Sequence, residues 1–308
     1  MITNITPLNY KGFLIRENDY GNSLILEDSK INESVEFVNN ENLEALEINS
    51  ALGYNKKDLD ILNLFPSIKH IRIGNHTINI NGLSFLKKLE TLYLGEESNQ
   101  KFDFTVFKNL KRCSFGWRKN ADSIFEIKNL NWLSIAKFPY TSLEKVSVFK
   151  DLTYLGIGNC KLEKLSCSLE LPKLNTLKIR SLPLITSLDG INSYPNVNDF
   201  EIYNLKNLSN LNSIKSLVKI KKLEFENCKK LGNINQISHL YNLETLYINN
   251  CENIESLKPI NDLKKLKEFL FIESTNIVDG NLIPIKNKLF EVLSFQERKH
   301  YSHKKVDL

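Results

Sequence analysis

Histidine is scarce in this 308-residue chain, at five, and methionine occurs once. No run approaches the roughly 18 uninterrupted apolar residues that a membrane-spanning helix needs. The opening Met1-Ile-Thr-Asn-Ile-Thr-Pro has no charged region followed by an apolar one, so neither insertion nor export is expected. Cys-x-x-Cys and His-Glu-x-x-His are both missing, which leaves a pre-spaced zinc site without ligands. Gly-x-Ser-x-Gly and a phosphate-loop Gly-Lys-Ser/Thr are missing too, so no familiar catalytic or nucleotide-binding motif is present. The cysteines (Cys113, Cys160, Cys167, Cys228, Cys251) are odd in number and scattered, which argues for free thiols in a reducing, cytoplasmic setting over a disulfide framework. Charge of one sign is also lacking: 41 Lys and Arg against 36 Asp and Glu give 41 − 36 = +5. With 42% apolar and 25% charged residues, a folded, water-soluble protein is expected.

What the chain has in abundance is a repeat. The pattern Leu-x-x-Leu-x-Leu, with Ile, Val, Phe or Cys allowed at its apolar positions, begins at Leu43, Ile68, Leu89, Leu110, Leu130, Leu152, Leu174, Val197, Ile220, Leu243 and Leu266. The spacings are 25, 21, 21, 20, 22, 22, 23, 23, 23 and 23. Composition alone does not produce this, because each unit also fixes its fourth and sixth positions, as in Leu152-Leu155-Ile157 and Leu243-Leu246-Ile248. The ninth position holds Cys160, Cys228 and Cys251 in later units but Ala51, His76, Glu97, Arg118 and Phe138 in the first five.

On these residues the sequence resembles the leucine-rich repeat superfamily over about residues 43 to 275. The unit starting at Leu243 and running through Cys251 to Ile260 looks like the short repeats of bacterial internalins and of the phosphatase-regulator class. The ending, from Asp279-Gly280 through Phe295-Gln-Glu-Arg-Lys-His-Tyr-Ser-His-Lys-Lys, resembles that of single-domain bacterial leucine-rich repeat proteins. Phe102-Asp-Phe followed by Trp117 is similar to a segment of the same group. The resemblance implies an α/β solenoid: a curved right-handed coil with a parallel concave sheet and a convex side of loops, 3-10 turns and helix.

The period supports the same architecture physically. Alternating apolar residues make a short strand with one buried face, and a coil with one apolar layer has no core until it stacks on its neighbours. One solenoid of about 11 units over 43–275 is therefore expected, with a cap over 1–42 and a C-terminal cap and basic tail over 276–308. In the first cap, Gly12-Phe-Leu-Ile-Arg and Ser23-Leu-Ile-Leu across Asn18-Asp-Tyr-Gly-Asn read as a β-hairpin, and Val35-Glu-Phe-Val as a third short strand. Lys57 to Phe65, ending before Pro66, reads as a helix on the convex side.

With positions one, four and six inward, positions three, five and seven project from the concave face. In the middle this places Tyr93, Trp132 and Tyr154 beside Gly95, Gly116, Ala136, Gly156 and Gly158, with Trp117 just past its strand. Large aromatics over a small-residue floor make pockets, and Trp, Tyr and Arg dominate interface hot spots. Lys178 and Arg180 then form a basic step, and Asp199, Glu201, Glu224 and Glu226 an acidic stretch relieved by Lys222. Such a stretch in a net basic protein suits a partner with a basic patch.

The expectation is a non-enzymatic, monomeric module, without metal or cofactor, that binds a protein on its concave face. Tyr93, Trp117, Trp132 and Tyr154 would anchor the partner, and Lys178, Arg180, Asp199, Glu201, Glu224 and Glu226 would select it. By analogy it would be an immunity protein masking a basic toxin. Two other classes are weighed below it: a nucleic-acid-associated adaptor, drawing on Lys221, Lys222, Lys229, Lys230 and the tail Arg298, Lys299, Lys304, Lys305, and an enzyme of unrecognised type. His300 and His303, three apart, are read as part of a capping tail that packs Tyr301 on the last coil. Gly156 and Gly158 are read as strand residues, not as a nucleotide loop, and Cys167 as the most exposed thiol.

Overall fold

Position by position, each leucine-rich unit becomes one short strand and one return arm. The computed structural model describes residues 6–74, 78–95, 100–286 and 288–307, so the ninth-position residues His76 and Glu97 lie outside the described residues. The chain divides into two compact units, Met1–Ala136 and Lys137–Leu308, with the division falling inside the run of repeats.

In the first unit, β1 (Leu8–Tyr10), β2 (Phe13–Asn18) and β3 (Gly21–Ile25) are antiparallel neighbours, which is the expected hairpin with one strand added. α1 spans Ile31–Asn40 where a third cap strand was expected. The residues it buries are Ser34, Phe37 and Val38, spaced three and four apart, and that helical period overrides the two-residue alternation of Val35-Glu-Phe-Val. Phe13 stacks on Phe37 at 4.2 Å between ring centroids and fixes the helix against the hairpin. From β3 the sheet continues in parallel through β4 (Ala45–Asn49), β5 (His70–Gly74), β6 (Thr91–Leu94), β7 (Arg112–Gly116) and β8 (Trp132–Ala136).

The second unit repeats the plan with β9 (Tyr154–Gly158), β10 (Thr176–Arg180), β11 (Asp199–Tyr203), β12 (Lys222–Glu226) and β13 (Thr245–Asn249). A small parallel pair, β14 (Asn253–Ile254) and β16 (Asn276–Ile277), lies outside the main ladder. The ladder itself ends with β15 (Glu268–Phe271) and β17 (Val292–Phe295).

Most return arms carry a 3-10 turn, and the sequence spacing explains why; among the described residues the arm from β9 to β10 has none, and the arm before β17 holds the short α2 (Ile283–Lys286). Ile80, Leu83, Leu86 and Leu89 are all buried at intervals of three, as are Ile234, Ile237, Leu240 and Leu243. A period of three matches the three residues per turn of a 3-10 helix and would spiral away from the core on an α-helix. The same rule corrects the helix expected over 57–65. Leu59, Leu62 and Phe65 are the buried residues there, and the segment forms a 3-10 helix over Asp60–Leu64.

The turn out of each strand is equally regular in the second unit. The eighth position is left-handed at Lys137, Asn159, Ser181, Asn204, Asn227, Asn250 and Glu273, with φ between 53° and 59°. Asparagine tolerates that region better than most residues. The turn aims the eighth N–H at the next coil, so Asn159 donates to the Arg180 carbonyl at 2.9 Å and Asn204 to the Glu226 carbonyl at 2.8 Å. The ninth side chain then points inward. Cys228 Sγ donates to the carbonyls of Glu226 and Ile202 at 3.6 and 3.7 Å, and Cys251 Sγ to those of Asn249 and Phe225 at 3.1 and 3.6 Å. The thiols satisfy carbonyls that the turn would otherwise bury unpaired.

The C-terminal segment packs against the last coil. The Tyr301 hydroxyl accepts from the Ile277 N–H at 3.0 Å, and its ring lies 6.2 Å from Phe295. His300 Nε2 sits 2.9 Å from the Ile277 carbonyl, and His303 Nε2 lies 3.0 Å from Lys286 Nζ. Among the described residues no helix is long and apolar enough to cross a membrane.

Candidate binding face

The outward positions of the first unit gather aromatic rings and arginines. His70 on β5 stacks on Tyr20 at 4.7 Å, Tyr20 lies 6.3 Å from Tyr93 on β6, and Tyr93 meets Trp132 on β8 edge to face at 5.5 Å. Arg72 sits 5.9 Å from the Tyr93 ring and Arg112 5.4 Å from Trp132, both within cation–π range. Arg112 also pairs with Asp19 at 2.6 Å. Two sequence-chosen residues, Tyr93 and Trp132, are therefore brought together. Trp117 lies past β7, with its ring 6.1 Å from Phe115 and 6.0 Å from Phe125. Tyr154 belongs to the second unit, where Lys178 Nζ lies 5.9 Å from its ring.

Burial sets the electrostatics of this cluster. It pushes the Tyr93 hydroxyl up to about 12 and raises Tyr20 as well, so both phenols are neutral donors at pH 7. Burial likewise lowers the His70 pKa, which keeps the imidazole neutral against Thr91 Oγ1 at 2.9 Å. Glu47, at an outward position of β4, is almost fully covered and accepts a forked pair from Arg16 at 2.7 and 3.3 Å.

Sequence reasoning selected neither Tyr20 nor the arginines. Tyr20 sits in the hairpin turn between β2 and β3, which looked like a connector. The clue was the parallel pairing of β3 with β4, which carries that turn onto the outward face. Arg72 and Arg112 stand at outward positions, but the pattern did not show that they would lie over the rings.

In the second unit the acidic stretch is largely matched from within. Glu201 takes Lys178 at 2.7 Å and Lys222 at 2.9 Å, and Lys222 also reaches Glu224 at 3.3 Å. The expectation that Lys222 alone relieves these carboxylates is thus corrected, and Lys178 is committed to the ladder instead of standing as a free basic step. The register explains it: Lys178, Glu201 and Glu224 are direct cross-strand partners on β10, β11 and β12. Burial raises the Glu201 pKa, but the two ammonium groups outweigh it and the net shift is downward. Arg180 packs over Tyr203 at 4.4 Å. Glu226 keeps a raised pKa, from burial first and then from Glu224 and Glu273, and Asp199 is raised by burial.

Cys167 is part-buried, its Sγ donates to the Leu169 carbonyl at 3.0 Å, and burial raises its pKa, which makes it a poor nucleophile at neutral pH. Gly156 and Gly158 lie within β9, in register with Lys178 and Arg180, as strand residues. Arg118 occupies the buried ninth position of its unit. Its Nε donates to the Gly116 carbonyl at 3.2 Å and its Nη2 to the Gly95 carbonyl at 3.4 Å, the part that thiols play in later coils.

No family model matches the chain. No curated protein matches it by sequence. Among solved structures it is similar to a leucine-rich repeat protein of Leptospira interrogans, at 17% identity and a TM-score of 0.44 over 83% of this chain and 79% of that one. It is similar to an internalin of Listeria monocytogenes, at 14% identity and a TM-score of 0.45 over 89% of this chain and 92% of that one. A third is the functional domain of the internalin InlJ from Listeria monocytogenes, which includes a cysteine ladder: 16% identity, TM-score 0.37, 80% of this chain and 66% of that one. By its own repeat, its parallel ladder and its inward ninth-position thiols, the chain has a leucine-rich repeat fold.

Proposed function

We propose that the chain is a non-enzymatic binding module that holds a protein partner on the outward face of its sheet. The observation that carries this reading is the cluster Tyr20, His70, Tyr93 and Trp132 with Arg72 and Arg112 laid over its rings. Half-buried aromatics and arginines held in one arrangement lose little conformational freedom on association, which is why they make effective anchors. In the second unit, Glu224 and Glu226 supply negative charge beside Glu273, and Glu226 is held above its ordinary pKa by that crowding as well as by burial. A partner cation there would relieve the repulsion, and an immunity-type role, masking a basic protein, is the finer form of this reading.

The test is affinity capture from a lysate of the source organism at low and moderate salt. Trp132→Ala is compared with the Glu224→Lys, Glu226→Lys double variant, with circular dichroism confirming that each is folded. A stoichiometric protein lost with Trp132→Ala supports the aromatic anchor, and one whose salt dependence changes with the double variant supports the acidic contribution. A partner set unchanged in both variants overturns the reading.

A further inference from the structure

A cavity of about 300 Å³ opens on the outward face of the first unit, between β4, β5 and β6, with polar and apolar groups sharing its lining about equally. Arg16, Glu47, Asn49, Arg72, Tyr93 and Ser114 line it, and Gly74 and Gly95 leave its floor without side chains. We propose that this cavity is a binding site for a single carboxylate group, held by the guanidinium of Arg72.

The lining is formally charged by two arginines and one glutamate, 2 − 1 = +1. The Arg16 and Glu47 charges are already spent on each other in a forked pair, with side-chain exposures of 11% and 4%. Arg72 stands one strand away, in register with Glu47 on one side and Tyr93 on the other. It forms no ion pair with any described carboxylate. One uncommitted planar fork beside a fixed carboxylate accepts one negative charge well and two badly, since a dianion would meet Glu47. That favours a carboxylate over a phosphate.

The remaining polar atoms are placed for the same guest. Asn49 uses its Oδ1 to accept from the Ala51 N–H at 3.0 Å, which turns its amide donor away from that turn. Ser114 contributes a hydroxyl that makes no hydrogen bond with a described residue. The Tyr93 ring supplies an apolar wall for the body attached to the carboxylate. At roughly 30 Å³ per water, the volume corresponds to about ten waters, which suits a short ligand or one chain end.

Two sources share this chemistry: a free small carboxylate, and the terminal carboxylate of another polypeptide. The test uses the full chain with benzoate for the first and acetyl-Ala-Phe, against its C-terminal amide, for the second. Calorimetry gives the affinity, and arginine side-chain nitrogen spectra of the unmodified protein report Arg72 directly. Saturable binding is expected, with the Arg72 Nε–H resonance moving, about a tenfold or greater loss in Arg72→Gln, and no loss in Lys215→Gln, a charge removed from an exposed return-arm turn. Arg72→Lys, which keeps the charge and removes the fork, is expected to bind less tightly than the parent. Binding of benzoate alone assigns a small-molecule site, and binding of the peptide acid but not its amide assigns a chain terminus.

No saturable binding of either probe to about 10 mM overturns the proposal. So does an unmoved Arg72 resonance, or equal displacement by sulfate. Because the benzoate arm needs no protein partner, its outcome is separate from that of the capture experiment.

Discussion

Replacing Glu201 by glutamine tests whether the charged ladder of the second unit is structural. Gln keeps the shape of the side chain and one acceptor oxygen but removes the charge that holds Lys178 and Lys222 at 2.7 and 2.9 Å. Two ammonium groups are then left facing each other across one strand. An exposed ion pair contributes about 0.2–1 kcal/mol, whereas removing one partner of a buried pair costs about 3–5 kcal/mol. Glu201, Lys178 and Lys222 retain 24%, 26% and 29% of their side-chain exposure, so the site lies between these limits. The expected loss is about 1–3 kcal/mol at pH 7, discounted from the buried value for the solvent that still screens the group.

The pH dependence supplies the stricter check. The Glu201 pKa is lowered in the folded state, so its contribution is fully present above the ordinary carboxylate range and disappears as pH falls through the depressed value. Urea denaturation of parent and variant is therefore expected to show a gap at pH 7 that closes below about pH 4, with the urea slope unchanged. A variant as stable as the parent at pH 7 refutes the reasoning, as does a gap that stays constant from neutral to acid pH.

Gly190 has φ +91°, and a Cβ there would lie 2.2 Å from the Ser166 nitrogen, so Gly190→Ala is expected to cost about 2–4 kcal/mol by urea midpoint. Gly12→Ala, at φ +85° with open space around it, is expected to lose only about 1 kcal/mol. Native protein treated with Ellman's reagent near neutral pH is expected to release at most one thiol equivalent, slowly, and none in Cys167→Ser. All five are expected to react in denaturant, since the other four cysteines are buried. Burial lowers the His70 pKa below its ordinary 6.5, so the unfolded chain binds the proton more readily, and stability is expected to fall as pH drops through that range. His70→Gln is expected to remove that slope, with an NMR titration of the imidazole as the direct measurement.

The strands and their register were legible because alternation with a fixed repeat has one physical solution, a stacked ladder. The return arm was less so. Leucines three apart, as at Leu59, Leu62 and Phe65, are compatible with an irregular helix until stacking demands that all three point inward, and only then does the 3-10 period win. The cap was misjudged at Val35–Val38 for the converse reason: a four-residue alternation was weighed without Ser34, whose burial completes a helical face.

For the candidate site, the sequence pattern yielded the direction of a side chain but not its company. Glu201 and Lys178 were read as separate charges because they lie 23 residues apart, yet one period of the repeat is what makes them cross-strand neighbours. Any repeat of nearly constant length turns sequence distance into lateral contact, so charges at equivalent positions must be paired off before any remainder is offered to a partner. In the second unit that subtraction removes Glu201, Lys178 and most of Lys222, and leaves Asp199, Glu226 among Glu224 and Glu273, and Arg180 over the Tyr203 ring. In the first unit it removes Arg16 with Glu47 and Arg112 with Asp19, and leaves Arg72 beside the Tyr93 ring. The remainder is small in each unit and of opposite sign. A partner of the proposed kind would therefore meet a few net charges in each unit, set among aromatic or buried neighbours.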